Sequence, residues 1–287
     1  YLIPFNKGLT VSPILDAFVD WIWNSFFYYL NSFNIFLLTN VLGPMKQAYL
    51  NMPVVSTFVL FMGAGYIIGG LRSCLIVGSL ILFIALSEYW DRTLITLYMA
   101  TFAVGVSAIS GIIVGSLCSQ NDFASKSILS ICDFFQTFPS FIYLIPVILL
   151  FGITDTSVMI AAIVYASVPA TRYTVEGLRS VPSSLHDAGS MSGVSRLQRW
   201  RLIDLPLALP HIMLGINQTV IFALMMIVLG ALIGTEDLGQ LIMGSLSRPN
   251  GAGIGFTLGI FISFICLAAD NLIRTWADER KKLLGIQ

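Results

Sequence analysis

The chain has 287 residues, of which 56% are hydrophobic and only 10% charged, and its mean hydropathy is +0.86. Soluble domains carry about 25% charged residues, so this composition excludes a water-soluble enzyme, a disordered tail and a disulfide scaffold, and it supplies enough apolar sequence for a polytopic membrane protein. Fifteen Lys and Arg balance fifteen Asp and Glu, a zero net charge that gives no purchase on nucleic acid.

The first residues, Tyr1 and then Ile3, Pro4, Phe5, Asn6 and Lys7, lack the charged-then-apolar order of a signal peptide, and the expectation is that further residues precede them. Within residues 14–38, Asp16, Asp20 and Asn24 recur every four positions among Trp21, Trp23, Phe26 and Phe27. This spacing gathers the polar groups on one helical stripe. It predicts an amphipathic helix in the headgroup plane, because two aspartates near the bilayer centre would each cost several kcal/mol; a docking surface for a partner is the alternative. Residues 1–50 are therefore set apart as an N-terminal segment.

Uncharged windows then follow at 47–71, 73–87, 93–118, 134–154, 156–171, 205–235 and 249–269. At 1.5 Å per residue most can cross about 30 Å of hydrocarbon, which predicts an all-α bundle of about seven spans within residues 51–276. The 73–87 window could instead continue the preceding helix without crossing. Glycines four apart, such as Gly65 and Gly69, Gly111 and Gly115, and Gly230 and Gly234, allow close helix packing. Cys74, Cys118, Cys132 and Cys266 have no metal-ligand spacing and read as small buried hydrophobes. His186 and His211 are isolated, so no metal site is expected.

Arg172, Arg179, Arg196, Arg199 and Arg201 fall in one interspan loop, and Arg274, Arg280, Lys281 and Lys282 follow the last window, the final residues 277–287 forming a basic tail. The positive-inside bias puts both regions in the cytoplasm, and seven crossings then put residues 1–50 outside. The 172–206 loop is the densest in charge. Pro182 ends what precedes it, Ser184 with Asp187 has the spacing of a capping box, and Gly193 is placed to stop the short helix that carries Leu185, Ala188 and Met191. Ser195 with Gln198 repeats the box for a second helix leading to Pro206. Two capped helices joined at a glycine predict an ordered protrusion.

Asp187-Ala188-Gly189, Gly193 and Ile203-Asp204-Leu205-Pro206 resemble, element by element in spacing, the signature loop of permease subunits of binding-protein-dependent ABC importers. Asp187 replaces the family's glutamate and keeps its charge, whereas Gly189 replaces its second alanine and weakens helix propensity by up to about 1 kcal/mol. Further runs from Gln136 to Pro146, Leu150 to Ile153, Gly215 to Thr219 and Ala269 to Ile273 resemble the branch for glycine betaine, proline betaine, choline or carnitine. The resemblance implies a coupling helix at 181–192 that seats in an ATPase groove, with Val181, Pro182, Leu185, Asp187, Ala188, Gly189, Gly193, Leu205 and Pro206 forming or supporting it. It also implies an inner-membrane homodimer, two separate ATPase copies that bind ATP and Mg²⁺, and an extracytoplasmic solute-binding protein. No Gly-Lys dipeptide is present, so no Walker A loop lies on this chain, and it is expected to hold no cofactor and catalyse no bond chemistry.

Pro139 and Pro146 bracket Phe141 and Tyr143 within one window. Prolines disturb the helix, and aromatic faces attract quaternary ammonium groups, so these four are pathway candidates or packing residues. Asn217 and Gln218 are adjacent amides in an uncharged window, read as an interhelical hydrogen bond or a gate. Arg172 and Glu176 have i,i+4 spacing for an ion pair. The expected function is import of a quaternary-amine solute or trimethylamine N-oxide, with another small solute, or a partner-free secondary transporter, as alternatives.

Overall fold

The computed structural model describes residues 12–283; the opening residues Tyr1 to Lys7 and residues 284–287 of the tail lie outside the described residues. Every element among them is helical. The order is α1 (Ser12–Phe36), a wide-turn segment (Leu37–Leu42), α2 (Gly43–Leu50), α3 (Val54–Ala85), α4 (Trp90–Cys118), α5 (Asp122–Thr137), a tight turn (Ser140–Tyr143), α6 (Leu144–Phe151), α7 (Asp155–Arg179) and α8 (Ser183–Met191). Then come α9 (Arg196–Arg199), a second wide-turn segment (Trp200–Asp204), α10 (Leu205–Leu229), a tight turn (Gly230–Ile233), α11 (Leu238–Leu246) and α12 (Ala252–Leu283).

The core is a three-helix unit in which α7 packs against both α4 and α10. Tyr98 bonds Asp155, Ser107 bonds the Ile163 carbonyl, Gly111 abuts Ala170 and Gly115 abuts Thr174, so α4 and α7 run parallel. Gly177 faces His211, Gly215 faces Tyr173 and Gly230 faces Val158, so α10 runs antiparallel to α7. Small residues at these crossings let backbones close up where lipid supplies no hydrophobic drive between helices.

Helix α3 doubles back on itself. Gly69 (φ −141°) and Gly70 (φ 64°) leave helical geometry, a Cβ on Gly65 would lie 3.0 Å from Cys74 Cα, and one on Gly78 would touch Met62. Those pairs meet only if residues 54–68 and 71–85 form an antiparallel hairpin, so the 73–87 window returns beside the preceding helix instead of prolonging it. Five helices are long and apolar enough to cross a membrane, and α5 with α6, bent by 105°, makes a sixth candidate. The doubled α3 is counted once in that number, though each arm spans roughly 22 Å at 1.5 Å per residue; about seven is thus an approximate count.

Ser73 lies 3.3 Å from Thr275, which brings the α3 tip to the end of the bundle that carries the 180–204 loop and the last turns of α12. Lys46, Asp155 and Glu236 meet at the opposite end. Residues 277–283 of the expected tail continue α12, where good helix formers and a basic last turn favour helix. Helix α1 leaves Trp21, Phe26, Phe27, Tyr28 and Tyr29 exposed and touches the bundle through Asn34, which donates to the Phe151 carbonyl at 3.1 Å.

Candidate functional site

The loop after α7 is built from local rules. Val181 is buried, and the Pro182 carbonyl accepts the Leu185 N–H at 3.1 Å as α8 begins. Ser184 lies inside α8, one residue past its start, not at the cap position its spacing with Asp187 suggested. At the other end Ser192 N–H bonds the Ala188 carbonyl and Val194 N–H bonds the Gly189 carbonyl at 3.2 Å, with Gly193 at φ 73°. This is a Schellman stop, and it needs the left-handed conformation that glycine supplies cheaply. Ser195 and Gln198 form the expected capping box in both directions.

The second short helix is not separate. It passes through Trp200–Asp204 directly into α10, with Leu205 N–H reaching back five residues to the Trp200 carbonyl. Pro206 explains the wide turn, since it brings no N–H and its ring crowds a normal turn; the other wide-turn segment, ending at Leu42, likewise stands two residues before a proline, Pro44. The protrusion is therefore α8 leaning on the extended foot of α10. Gly189 is buried, and a Cβ there would stand 3.1 Å from Ile203 Cδ1, so this departure from the family signature sits at a tight contact. Leu185, Ala188 and Pro206 border a groove of about 450 Å³, Leu205 packs beside Leu178, and Pro182 and Asp187 face outward.

Inside the membrane the candidates part company. Pro139 stands at the break between α5 and α6, whereas Pro146 falls in the first turns of α6, where no helical bond is lost. Phe141 is half exposed and outside any cluster. Tyr143 donates to the Phe135 carbonyl and belongs to a run of rings, Phe135, Tyr143, Tyr165 and Phe222, with successive centroids 6.1, 5.2 and 5.0 Å apart. Asn217 turns toward α12 and bonds Asp270, while Gln218 borders a cavity of about 350 Å³ with Gln136, Arg172, Tyr173, Glu176 and Phe222.

Arg172 holds Glu176 through Nε at 3.0 Å, as the i,i+4 spacing suggested, and also Asp133 through Nη1 at 2.6 Å. Sequence inspection missed Asp133, Gln136, Tyr165 and Phe222 as members of this site. Asp133 stands at the edge of an uncharged window, which is a signal in hindsight, but 39 residues separate it from Arg172 and nothing local pairs them.

Residues 107–281 match the family described as binding-protein-dependent transport system inner membrane component. The chain is 60% identical over 284 residues, 99% of its length, to a trimethylamine N-oxide transport system permease protein of Pelagibacter ubique, and covers 40% of that protein. It is 38% identical to the corresponding protein of Ruegeria pomeroyi, covering 98% of this chain and 42% of that one. It is 30% identical to a glycine betaine/proline betaine transport system permease protein of Escherichia coli, covering 94% of this chain and 76% of that one. The chain thus spans about two fifths of the length of the trimethylamine N-oxide relatives. The matched region takes in the last turns of α4, all of α7 and α10, the α8 loop and most of α12, and with it this multi-pass membrane chain belongs to the family of binding-protein-dependent transport system inner membrane components.

Proposed function

We propose that this chain is the membrane-spanning part of an ATP-driven importer for a small methylated amine, with trimethylamine N-oxide first and glycine betaine second among the solutes to test. The exposed Asp187 helix carries the reading. It is closed by a Schellman stop, leans on the foot of α10 and presents a carboxylate and an apolar groove at one end of the bundle. Such a rigid knob suits a socket on a separate ATPase, which would bind ATP and Mg²⁺. The relatives' names support the choice of solute.

Two copies of the chain would each engage one ATPase. Closure of the ATPase pair would push the two α8 helices together, and because α8 is fixed to α10, the push would reach the core at Gly215 and Gly230, where α10 meets α7. A solute delivered by an external binding protein would be released on the α8 side. The test is reconstitution of the full-length protein with its ATPase and binding protein, measuring solute-stimulated ATP hydrolysis with and without Asp187→Arg. The substitution is expected to abolish stimulation by reversing the charge at the contact. Unchanged stimulation, or no association with an ATPase, overturns the proposal.

A further inference from the structure

The cavity between α5, α7 and α10 has the chemistry of a solute subsite. Its volume, about 350 Å³, is at the small end of ligand-pocket sizes, which run from about 300 to 1,000 Å³. Arg172 shares its Nε and Nη1 edges with Glu176, Asp133 and Gln136, and its Nη2 is left without a partner among the described residues. Gln218, on the opposite helix, also has no hydrogen-bond partner among them, although it borders the same space. Arg172 is about one-third exposed and Gln218 half-buried, and both open onto the cavity, so each has a donor to offer an acceptor that enters it.

The rest of the lining favours a methylated cation. Phe222 borders the cavity while stacking on Tyr165, and Tyr173 borders it from α7. The Arg172 cluster holds one positive and two negative side chains, so its surroundings carry a net negative charge. A trimethylammonium group offers positive surface and no donor, which suits aromatic faces and nearby carboxylates but not a conventional hydrogen-bonding pocket. Pro169 also lines the cavity, and by removing an N–H from α7 it frees the Tyr165 carbonyl from its usual helical bond.

We infer that this cavity binds a small trimethylammonium compound with an oxygen acceptor, its N-oxide or carboxylate oxygen taking Gln218 and the free edge of Arg172 and its methyl groups lying against Phe222. Tyr143 connects to the site through Tyr165, so the ring run continues the same aromatic surface toward the α5–α6 bend. This subsite rests on the methylated-amine reading given above and adds that the membrane chain itself recognises the solute.

The experiment reconstitutes the full-length protein with its ATPase and binding protein and compares uptake with ATP hydrolysis. Phe222→Leu and Gln218→Leu should each lower uptake of trimethylamine N-oxide roughly tenfold, the scale of a lost cation–π or hydrogen-bond contact, while solute-stimulated hydrolysis persists and Phe222→Trp retains uptake. Full uptake by both leucine variants overturns the subsite. Should either variant fail to assemble, Gln218→Cys in a chain whose four native cysteines are replaced is labelled with a thiol reagent bearing a trimethylammonium group. Protection by millimolar trimethylamine N-oxide supports the site, and labelling unaffected by solute sinks it. Absence of methylated-amine uptake by the unaltered protein rejects the solute class instead, so the two failures are told apart.

Discussion

Asn217 donates from Nδ2 to Asp270 Oδ1 at 2.6 Å, and the same oxygen receives Arg274 Nε at 2.6 Å. This buried amide ties α10 to α12 within the apolar region, where a carboxylate left with fewer donors is costly. Asn217→Leu keeps the volume and removes the donor. It should lower stability by about 1–3 kcal/mol, seen as a fall in the midpoint of thermal unfolding in detergent. An unchanged midpoint would mean that Arg274 alone suffices for Asp270.

Two glycines six residues apart on α4 should respond oppositely to alanine. A Cβ on Gly111 would come 2.5 Å from Ala170 Cβ and 2.9 Å from Thr171 N, whereas nothing lies within 4 Å of one on Gly105. Gly111→Ala must part the parallel α4–α7 pair, at a cost of about 1–3 kcal/mol. Gly105→Ala meets open space and should gain up to about 1 kcal/mol from helix propensity. Thermal midpoints of the two variants decide, and equal shifts would contradict the packing described.

Glu236 and Asp237 are neighbours in the loop before α11, yet their acidities move apart. The Lys46 ammonium, 3.1 Å away, holds the Glu236 carboxyl below its ordinary 4.5. Burial pushes Asp237 up from 3.8 to about 6, against the opposing pull of the Gln240 and Gly239 backbone N–H groups. Between pH 3.8 and about 6 the folded chain holds a proton on Asp237 that the unfolded chain has lost, so stability falls as pH rises through that window. Glu236 has the opposite sign. Its contribution is present above 4.5 and is lost as pH falls through its lowered value. Asp237→Asn should flatten the decline and raise stability at pH 7 by up to about 3 kcal/mol, while Lys46→Gln should remove only the loss at the acid end. Unfolding midpoints measured from about pH 2.5 to 7.5 test both signs.

What could be read from the sequence was local. The Ser195–Gln198 box, the stop at Gly193, the Arg172–Glu176 pair and the apolar windows obey rules that act within a few residues. The α3 reversal was only half legible: two windows counted as separate crossings, but Arg72 is the single charge between them, which left a continuous helix open, and the fold-back also needs glycines at 65 and 78 to admit the returning arm. The adjacent amides were ambiguous for a geometric reason: about 100° of helical rotation separates neighbours, so Asn217 meets α12 and Gln218 faces the cavity beside α7. Asp133, Tyr165 and Phe222 join one site through contacts across helices, which no periodicity reports.

The sharpest test of the coupling loop is Gly193. Its φ of 73° costs a β-branched residue about 1–2 kcal/mol or more, and the hydrogen bonds from Ser192 and Val194 that end α8 depend on it. Gly193→Val should therefore loosen α8 without touching the α4–α7–α10 core. Ser195→Ala removes one bond of the capping box on the other side of the joint and should cost about 1 kcal/mol, leaving the Schellman stop in place. Amide exchange in 183–192 is expected to accelerate strongly in the first variant and little in the second, with unfolding of the core unchanged in both. If α8 transmits force as a rigid body, ATP-driven uptake should follow the same order, nearly lost with Gly193→Val and only reduced with Ser195→Ala. Uptake that stays normal while α8 exchanges freely would show that a rigid helix is not what the motor pushes.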